Sequence, residues 1–283
     1  ATRVPYKNKE AELEPFTNST ALGNGWVWNI PIWERLGTGY VYSDKYISPE
    51  DAKEEFKQYL MSDKMLFPRT REEVDALEFK DIPMRVGIHE RTFVKNVVAI
   101  GLSAGFIEPL ESNGLFSVHE FLFKLLKIME RPAITQWDKD VYNAGVFGLW
   151  RNFAEFVGLH YALSIRNDTP YWQANAERVY RPGMHKVEPD TANGYTQLHH
   201  AKMFGSQIPE VAGMHWITVG MNYFMYDKQT FSIDLLHNDF AAIKARCDKV
   251  NRELESRKAK WLEAAKNKPT LYQYLKEHIH KKD

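Results

Sequence analysis

The sequence lacks the features that mark secreted, membrane and nucleic-acid-binding proteins. Its 283 residues contain one cysteine, Cys247, which excludes an internal disulfide and a metal site built from several thiolates. No apolar run approaches the length of a bilayer-spanning helix, and the first residues carry charges instead of an apolar signal segment. Acidic and basic residues number 37 each, which excludes a global basic footprint for nucleic acid. We therefore expect a soluble cytoplasmic protein without a bound metal and without a membrane or nucleic-acid partner.

Aromatic residues are the compositional excess, at 13% of the chain. Two of them, Trp26 and Trp28, lie two positions apart in a β-type run that we expect Pro31 to stop, so they would share one face of a strand. Such a face is either part of a bulky core or the wall of a pocket for a flat ligand. The sequence alone leaves both interpretations open.

Strand signals dominate to about residue 107, and helical periodicity dominates from Gly114 onward, which predicts an α+β fold. The predicted strands cover residues 26–30, 41–43, 79–86 and 93–100, and a glycine-rich turn is expected at residues 37–40. The last of these strands is rich in β-branched residues, as buried strands are.

Helix signals are clear at several places. Ser48 and Pro49 predict a helix start, and Ala52, Phe56 and Leu60 recur every four residues on its expected buried face. Further predicted helices cover residues 115–129, 141–165 and 237–265.

The segment from Val97 to Leu115 is the strongest candidate for chemistry. It predicts a buried strand, a turn containing Gly101 and Gly105, a loop with two acids, Glu108 and Glu111, and a helix start. The free N–H groups and dipole of a helix N-terminus suit an anion or the electron-rich edge of a cofactor. The alternative is an ordinary strand-to-helix connection in which the acids cap the helix.

Two motifs in this chain resemble those of flavin-dependent halogenases, specifically the tryptophan-halogenase branch. The run Trp26-x-Trp28-x-Ile30-Pro31 resembles the family's WxWxIP motif, and Phe106-x-x-Pro109-x-x-Ser112-x-Gly114 resembles its Fx.Px.Sx.G motif. Flanking stretches at residues 37–43, 85–87 and 160–172 agree. The resemblance is strong to about residue 172 and weaker beyond.

The resemblance implies a flavin-monooxygenase-like fold and a reaction in which reduced FAD, O₂ and chloride or bromide yield hypohalous acid. By the same resemblance Glu111 matches the catalytic glutamate, which would polarise the halogenating species or take the proton from the ring intermediate. Asn113 and Gly114 occupy the halide-binding positions, where Asn113 replaces the family's usual threonine and keeps the backbone donor. Gly101, Ser103 and Gly114 would approach the flavin.

The remaining assignments also rest on the resemblance. Trp26, Trp28 and Pro31 would screen the flavin from the substrate, which would be tryptophan or another electron-rich aromatic. Candidates for the substrate clamp are Phe204, His215, Trp216 and Tyr223. A separate flavin reductase is the expected transient partner, and a homodimer is left open.

One departure from the family concerns the N-terminus. No G-x-G-x-x-G follows an early strand, and the family's catalytic lysine has no counterpart. We therefore expect the C-terminal portion of a halogenase, with a missing N-terminal segment. Residues 1–115 would be the strand-rich remainder of the flavin-binding module, and residues 116–283 a helical substrate-side region. The alternatives are a flavin monooxygenase-like hydroxylase and a non-catalytic subunit of a split enzyme.

Overall fold

A computed structural model describes residues 1–162, 164, 166–178 and 240–281. The chain forms two compact units. The first comprises Ala1–Lys80 together with Phe224–Asp283, and the second comprises Asp81–Tyr223.

Strands and helices alternate unevenly along the chain. The strands are β1 (Thr2–Val4), β2 (Asn18–Ala21), β3 (Gly25–Ile32), β4 (Arg35–Tyr42), β5 (Gly87–Ile88), β6 (Phe93–Val94), β7 (Val97–Val98) and β8 (Gly105–Phe106). The helices are α1 (Lys9–Glu12), α2 (Pro49–Met61), α3 (Arg71–Asp75), α4 (Asn113–Met129), α5 (Gln136–Ala162), α6 (Pro170–Arg178), α7 (Phe240–Ala265) and α8 (Leu271–His278). Within the described ranges a 3₁₀ turn, Gly101–Ser103, completes these elements. This mixture confirms the predicted α+β fold.

The first unit is built on an antiparallel sheet in the order β1-β4-β3-β2. Helix α2 packs against it and forms as its sequence predicts, because the Ser48 hydroxyl accepts a hydrogen bond from the Asp51 amide at 3.1 Å. The predicted buried positions Ala52, Phe56 and Leu60 are all buried, which confirms the four-residue periodicity. The apolar core of the unit lies between α2 and the sheet, and it includes Val4, Leu22, Val27, Leu36, Phe56, Tyr59, Leu60, Met65 and Val74.

The glycine-rich turn predicted at residues 37–40 is wrong, because these residues lie inside β4. Trp28 pairs with Gly39 across the sheet, and a Cβ added to Gly39 would come within 2.5 Å of the Trp28 ring. The glycine is therefore required by an indole on the neighbouring strand and not by a turn. Strand β3 also continues through Pro31, beyond the last residue that pairs with β2, where a missing N–H is tolerated.

The second unit contains short ladders in place of the long strands predicted from its sequence. The strand predicted at residues 79–86 is absent from the described structure, where only Gly87–Ile88 is extended and pairs with β8. The buried strand predicted at residues 93–100 is instead the hairpin β6–β7, in which Phe93 pairs with Val98. Lys95 at the hairpin turn adopts a φ of 54°, which interrupts the extended backbone.

Helices α4 and α5 pack together in the second unit. Phe121 lies 5.9 Å from Trp150 and Phe116 lies 5.3 Å from Phe153, measured between ring centroids. The Asn143 side chain of α5 also holds β6, because its Oδ1 accepts from the Phe93 amide at 2.8 Å and its Nδ2 donates to the Phe93 carbonyl at 3.0 Å. The predicted helices around residues 115–129, 141–165 and 237–265 correspond to α4, α5 and α7.

The described strands end at Phe106 and the longest helices follow it, as the sequence predicts. The predicted division into residues 1–115 and 116–283 follows this change of secondary structure and stays a prediction, since compactness divides the chain elsewhere. Among the described helices, none combines the length and the apolarity needed to cross a membrane.

Candidate active site

The loop between β8 and α4 carries Glu111, the acid that the sequence predicts to be catalytic. Its Oε1 lies 2.7 Å from Nε2 of His160, which belongs to the last turn of α5. The Glu111 side chain is 29% exposed to solvent, and the His160 side chain is 14% exposed. The carboxylate therefore lies at the protein surface with one oxygen held by an imidazole.

A second acid–helix contact lies beside the first. The Tyr161 hydroxyl, one residue after His160, donates a hydrogen bond to Glu108 Oε2 at 2.5 Å. Two consecutive residues of α5 thus hold two acids of the same loop. Sequence reasoning did not assign His160 or Tyr161 to the site, although both lie in the stretch that resembles the halogenases. The missing signal is spatial, because about fifty residues separate each acid from its partner.

Ser112 opens α4 with an unusual backbone conformation. Its φ of 50° and ψ of 33° are left-handed, a region in which a serine is strained, and its side chain makes no capping hydrogen bond. A left-handed residue followed by a right-handed helical one turns successive N–H groups toward one concave point, which is an anion-binding arrangement. The N–H groups so placed belong to Asn113 and Gly114, the predicted halide positions.

Asn113 adds a buried polar atom at the same helix end. The residue is 3% exposed, and its Nδ2 finds no hydrogen-bond partner among the residues that the structure describes. Such a buried donor costs free energy unless a ligand or a water satisfies it. Gly114 faces open space, because a Cβ added there would meet no atom within 4 Å.

Gly101 and Ser103, which are also predicted to approach the flavin, and Gly105 of the predicted turn have local structural roles. Gly101 has a φ of 61°, and a Cβ added there would come within 2.4 Å of Val118 on α4. The Ser103 hydroxyl donates to the Ile100 carbonyl at 2.8 Å and accepts from the Ile100 amide at 3.0 Å. Gly105, in β8, would place a Cβ 2.5 Å from the Gly87 carbonyl oxygen. Conformation and packing explain these three residues without a ligand.

The tryptophan motif lies in the first unit, on β3. Trp26 is buried and Trp28 is half-buried, and both occupy the face of the sheet opposite Val27 and α2, as alternation along a strand requires. The proposed clamp residues Phe204, His215, Trp216 and Tyr223 lie outside the described residues. No group of three or more metal-ligating side chains occurs within the described ranges.

The fold and the motif-bearing loop together define a flavin-dependent halogenase type of protein. The sequence profile described as tryptophan halogenase matches residues 1–222. The chain therefore belongs to the tryptophan halogenase family, which confirms the resemblance carried by the two motifs.

Individual relatives agree with this assignment. The chain is 37% identical over 212 residues to the tryptophan 6-halogenase SttH of Streptomyces toxytricini, covering 70% of this chain and 38% of that protein. It is 35% identical over 184 residues to the tryptophan 7-halogenase RebH of Lentzea aerocolonigenes, covering 65% of this chain and 33% of that protein. Among solved structures, that of apo VirX1 superposes with a TM-score of 0.76 at 30% identity and covers 99% of this chain and 52% of VirX1.

These comparisons share one further feature. The chain spans between 33% and 38% of the length of the two curated relatives and about half of VirX1. Family membership and the α+β fold are established for this chain, whereas the activity of a whole halogenase is a property of longer proteins.

Proposed function

We propose that this chain provides the halide- and acid-bearing part of a flavin-dependent halogenase that acts on tryptophan or another electron-rich indole. The observation that carries the proposal is the left-handed Ser112 at the start of α4. This conformation turns the Asn113 and Gly114 amides toward one point. Glu111 directly precedes Ser112 in the sequence, so its carboxylate belongs to the same loop end.

A halide fits the described residues. Chloride and bromide need N–H donors and no particular coordination geometry, and the start of a long helix adds a favourable dipole. The buried Asn113 Nδ2, which has no hydrogen-bond partner in the described part of the chain, supplies a further donor at this helix end. A negative carboxylate so close to an anion would weaken halide binding, so the neutral donors must outweigh Glu111.

The described residues account for only part of a flavin-binding site. When bound, reduced FAD supplies two of the electrons that O₂ takes up while the halide supplies the other two and becomes hypohalous acid. Of the residues predicted to approach FAD from α4 and the loop before it, only Gly114 has open space in front of it. We infer that FAD is held mainly by a further part of the protein, and that this chain alone binds it weakly.

Glu111 is proposed as the base that completes the substitution. The C–H bond at the halogenated ring carbon breaks, its electron pair restores the aromatic ring, and the proton passes to the carboxylate. The roles of Trp26, Trp28 and Pro31 in screening the flavin, and of Phe204, His215, Trp216 and Tyr223 in holding the substrate, remain parts of the proposal. So do a cytoplasmic location, a transient flavin reductase and a homodimer.

The exposed face of α4 is an argument for a further segment that binds the flavin and packs on this helix. This face is an apolar stripe at helical spacing, formed by Leu115, Leu122, Leu126 and Met129. Leu115 is 79% exposed and Met129 is 60% exposed, which is unusual for large apolar side chains in one row. The further length that the relatives have is the proposed cover for this stripe.

The test compares this chain with an extended protein, meaning the chain expressed together with the coding sequence immediately upstream of residue 1. Each is incubated with a flavin reductase, NADH, FAD, bromide and a panel of indoles and phenols, and products are identified by mass spectrometry. We expect halogenated product from the extended protein, and neither product nor tight FAD binding from the chain alone. Absence of halogenated product from the extended protein on every substrate would overturn the proposal, and halide-independent oxygenated product would support the hydroxylase alternative.

A further inference from the structure

His160 is the side chain that contacts the proposed base. Its Nε2 lies 2.7 Å from Glu111 Oε1, and the imidazole is more buried than the carboxylate it meets. The contact joins the last turn of α5 to the loop before α4, two elements that are distant in sequence. It therefore fixes where the carboxylate lies relative to the start of α4.

The 2.7 Å contact bears on which ring nitrogen of His160 carries a hydrogen. A carboxylate oxygen only accepts hydrogen bonds when ionised, so Nε2 must be the protonated nitrogen whether the ring is neutral or charged. Glu111 Oε2 makes no hydrogen bond within the described residues, which leaves it as the oxygen able to take a proton.

Other charged groups at this corner are already engaged. Glu108 accepts the hydrogen bond from the Tyr161 hydroxyl at 2.5 Å, and Tyr161 stacks on Trp172 with ring centroids 6.0 Å apart. The Arg166 guanidinium, beyond the end of α5, donates to the Asp168 carboxylate at 2.6 Å. At this corner, within the part of the chain that the structure describes, the Glu111 carboxylate is contacted by His160.

We propose that His160 is a positioning residue for Glu111, one that donates its Nε2–H to Oε1 and thereby presents Oε2 to the substrate ring. This inference rests on the proposed role of Glu111 as the base. It extends that role to a residue outside the motif that contains Glu111. His160 itself does not touch substrate or cofactor in this proposal.

The first test needs no activity and uses the chain itself. Nitrogen-15 NMR of the imidazole rings should show His160 protonated at Nε2, with a ring N–H protected from exchange with water. The signal is assigned by its loss in His160→Gln. In Glu111→Ala the ring N–H should lose its protection, whereas His89→Leu, at an exposed histidine of the same unit, should leave it unchanged. A His160 ring protonated only at Nδ1, or a signal indifferent to Glu111→Ala, would overturn the contact and with it the proposal.

The second test measures halogenation by the extended protein. His160→Leu should lower kcat by about 10- to 100-fold, as expected for a misplaced reacting group, with little change in the substrate KM. His160→Gln, whose amide can still donate to Oε1, should recover most of that loss. The double variant E111Q/H160L should be no slower than E111Q. In this proposal His160 acts only through Glu111, so its loss adds nothing once the base is gone.

The outcomes separate this inference from the proposed function. If the extended protein does not halogenate, the NMR result still decides whether His160 holds Glu111. If it halogenates and His160→Leu keeps full kcat while Glu111→Gln does not, the positioning role is wrong. If His160→Gln is as slow as His160→Leu although both variants fold, the loss is not due to the donor and the inference fails.

Discussion

The two compact units of this chain differ in how completely each buries its own apolar and polar groups. In the first unit Val27, Leu60 and Val74 are fully buried, and the buried carboxylate of Glu12 is paired with the Arg69 guanidinium at 2.6 Å. In the second unit an entire stripe of α4 is exposed, and Asn113 keeps a buried donor without a partner among the described residues. The exposed stripe and the unpartnered donor fit the proposal that the second unit contacts a further part of the protein, whereas the Glu12–Arg69 pair serves the stability of the first.

The largest effect is expected from replacing Glu111, the proposed base in the second unit. Glu111→Gln keeps the shape of the side chain but removes the base, so we expect halogenation by the extended protein to fall at least tenfold, within the range of about 10²–10⁴ typical of general-base catalysis. Turnover is measured by mass spectrometry at saturating tryptophan and bromide. Glu90→Gln, at an exposed acid of the same unit, is the matched control. Equal turnover by wild type and Glu111→Gln would remove Glu111 from the chemistry.

Replacing Glu12, the buried acid of the first unit, should instead lower the stability of the fold. The Glu12 and Arg69 side chains are 5% and 3% exposed, so Glu12→Gln leaves a buried guanidinium without its counter-charge. We expect a loss of about 3 kcal/mol in the free energy of unfolding, measured by urea denaturation. Glu54→Gln, in the exposed ion pair with Arg71, should change it far less, because solvent screens that pair. Similar losses from both substitutions would contradict the contrast between the units.

Glycine-to-alanine substitutions compare the two units directly. At Gly39 a methyl group would overlap the Trp28 ring, so Gly39→Ala should destabilise the chain by about 1–3 kcal/mol. At Gly114 the methyl group meets open space in the first turn of a helix, so Gly114→Ala should be neutral or slightly stabilising. Thermal unfolding of both variants checks this. A Gly114→Ala variant as unstable as Gly39→Ala would show that the space before α4 is filled by the chain itself.

The smallest effect concerns two tyrosines, the half-buried Tyr6 of the first unit and the buried Tyr142 of the second. The Tyr6 hydroxyl donates to the Ile32 and Arg35 carbonyls, whereas the Tyr142 hydroxyl has no partner in the described part of the chain. Tyr6→Phe should therefore cost about 1 kcal/mol, and Tyr142→Phe should cost nothing or stabilise. Denaturant unfolding of both variants, with the wild type alongside, measures this difference.

The same tyrosines give a pH dependence. Burial raises the pKa of Tyr6 to about 12 and that of Tyr142 to about 12, from an ordinary value of 10.0. Because the folded state holds these protons more tightly, stability should be retained below pH 10 and lost as the pH rises from 10 toward 12. The decline should be smaller when either tyrosine is replaced by phenylalanine, and an identical decline in both single variants and the wild type would contradict it.

Local signals in the sequence predicted the elements that depend on neighbours along the chain. The Ser48 cap, the Pro49 start and the apolar period define α2 without reference to the rest of the molecule. The sequence failed where a distant residue decides, as at Gly39, which β4 needs because the Trp28 ring lies over it. The hairpin at Lys95 was missed because its flanks look like one continuous buried strand.

The residues of the candidate site also divide into those that neighbouring sequence identifies and those that only the fold brings together. The resemblance to the family motif pointed to Glu111, Asn113 and Gly114, which are consecutive or nearly so in sequence. His160 and Tyr161 reach the same loop only through the packing of α5, and no local pattern announces that contact. The left-handed conformation of Ser112 is likewise invisible in a sequence that shows a serine before a helix.

The most direct test of the central claim is a bromide titration of the nitrogen-15-labelled chain, followed through its backbone amide signals. The account predicts saturable shifts confined to the amides at the start of α4, above all those of Asn113 and Gly114. It also predicts tighter binding in Glu111→Gln, because the competing negative charge is removed. Amides of Asn113 and Gly114 that stay unmoved by bromide in both proteins, while others elsewhere respond, would contradict the claim that this helix start is the halide site.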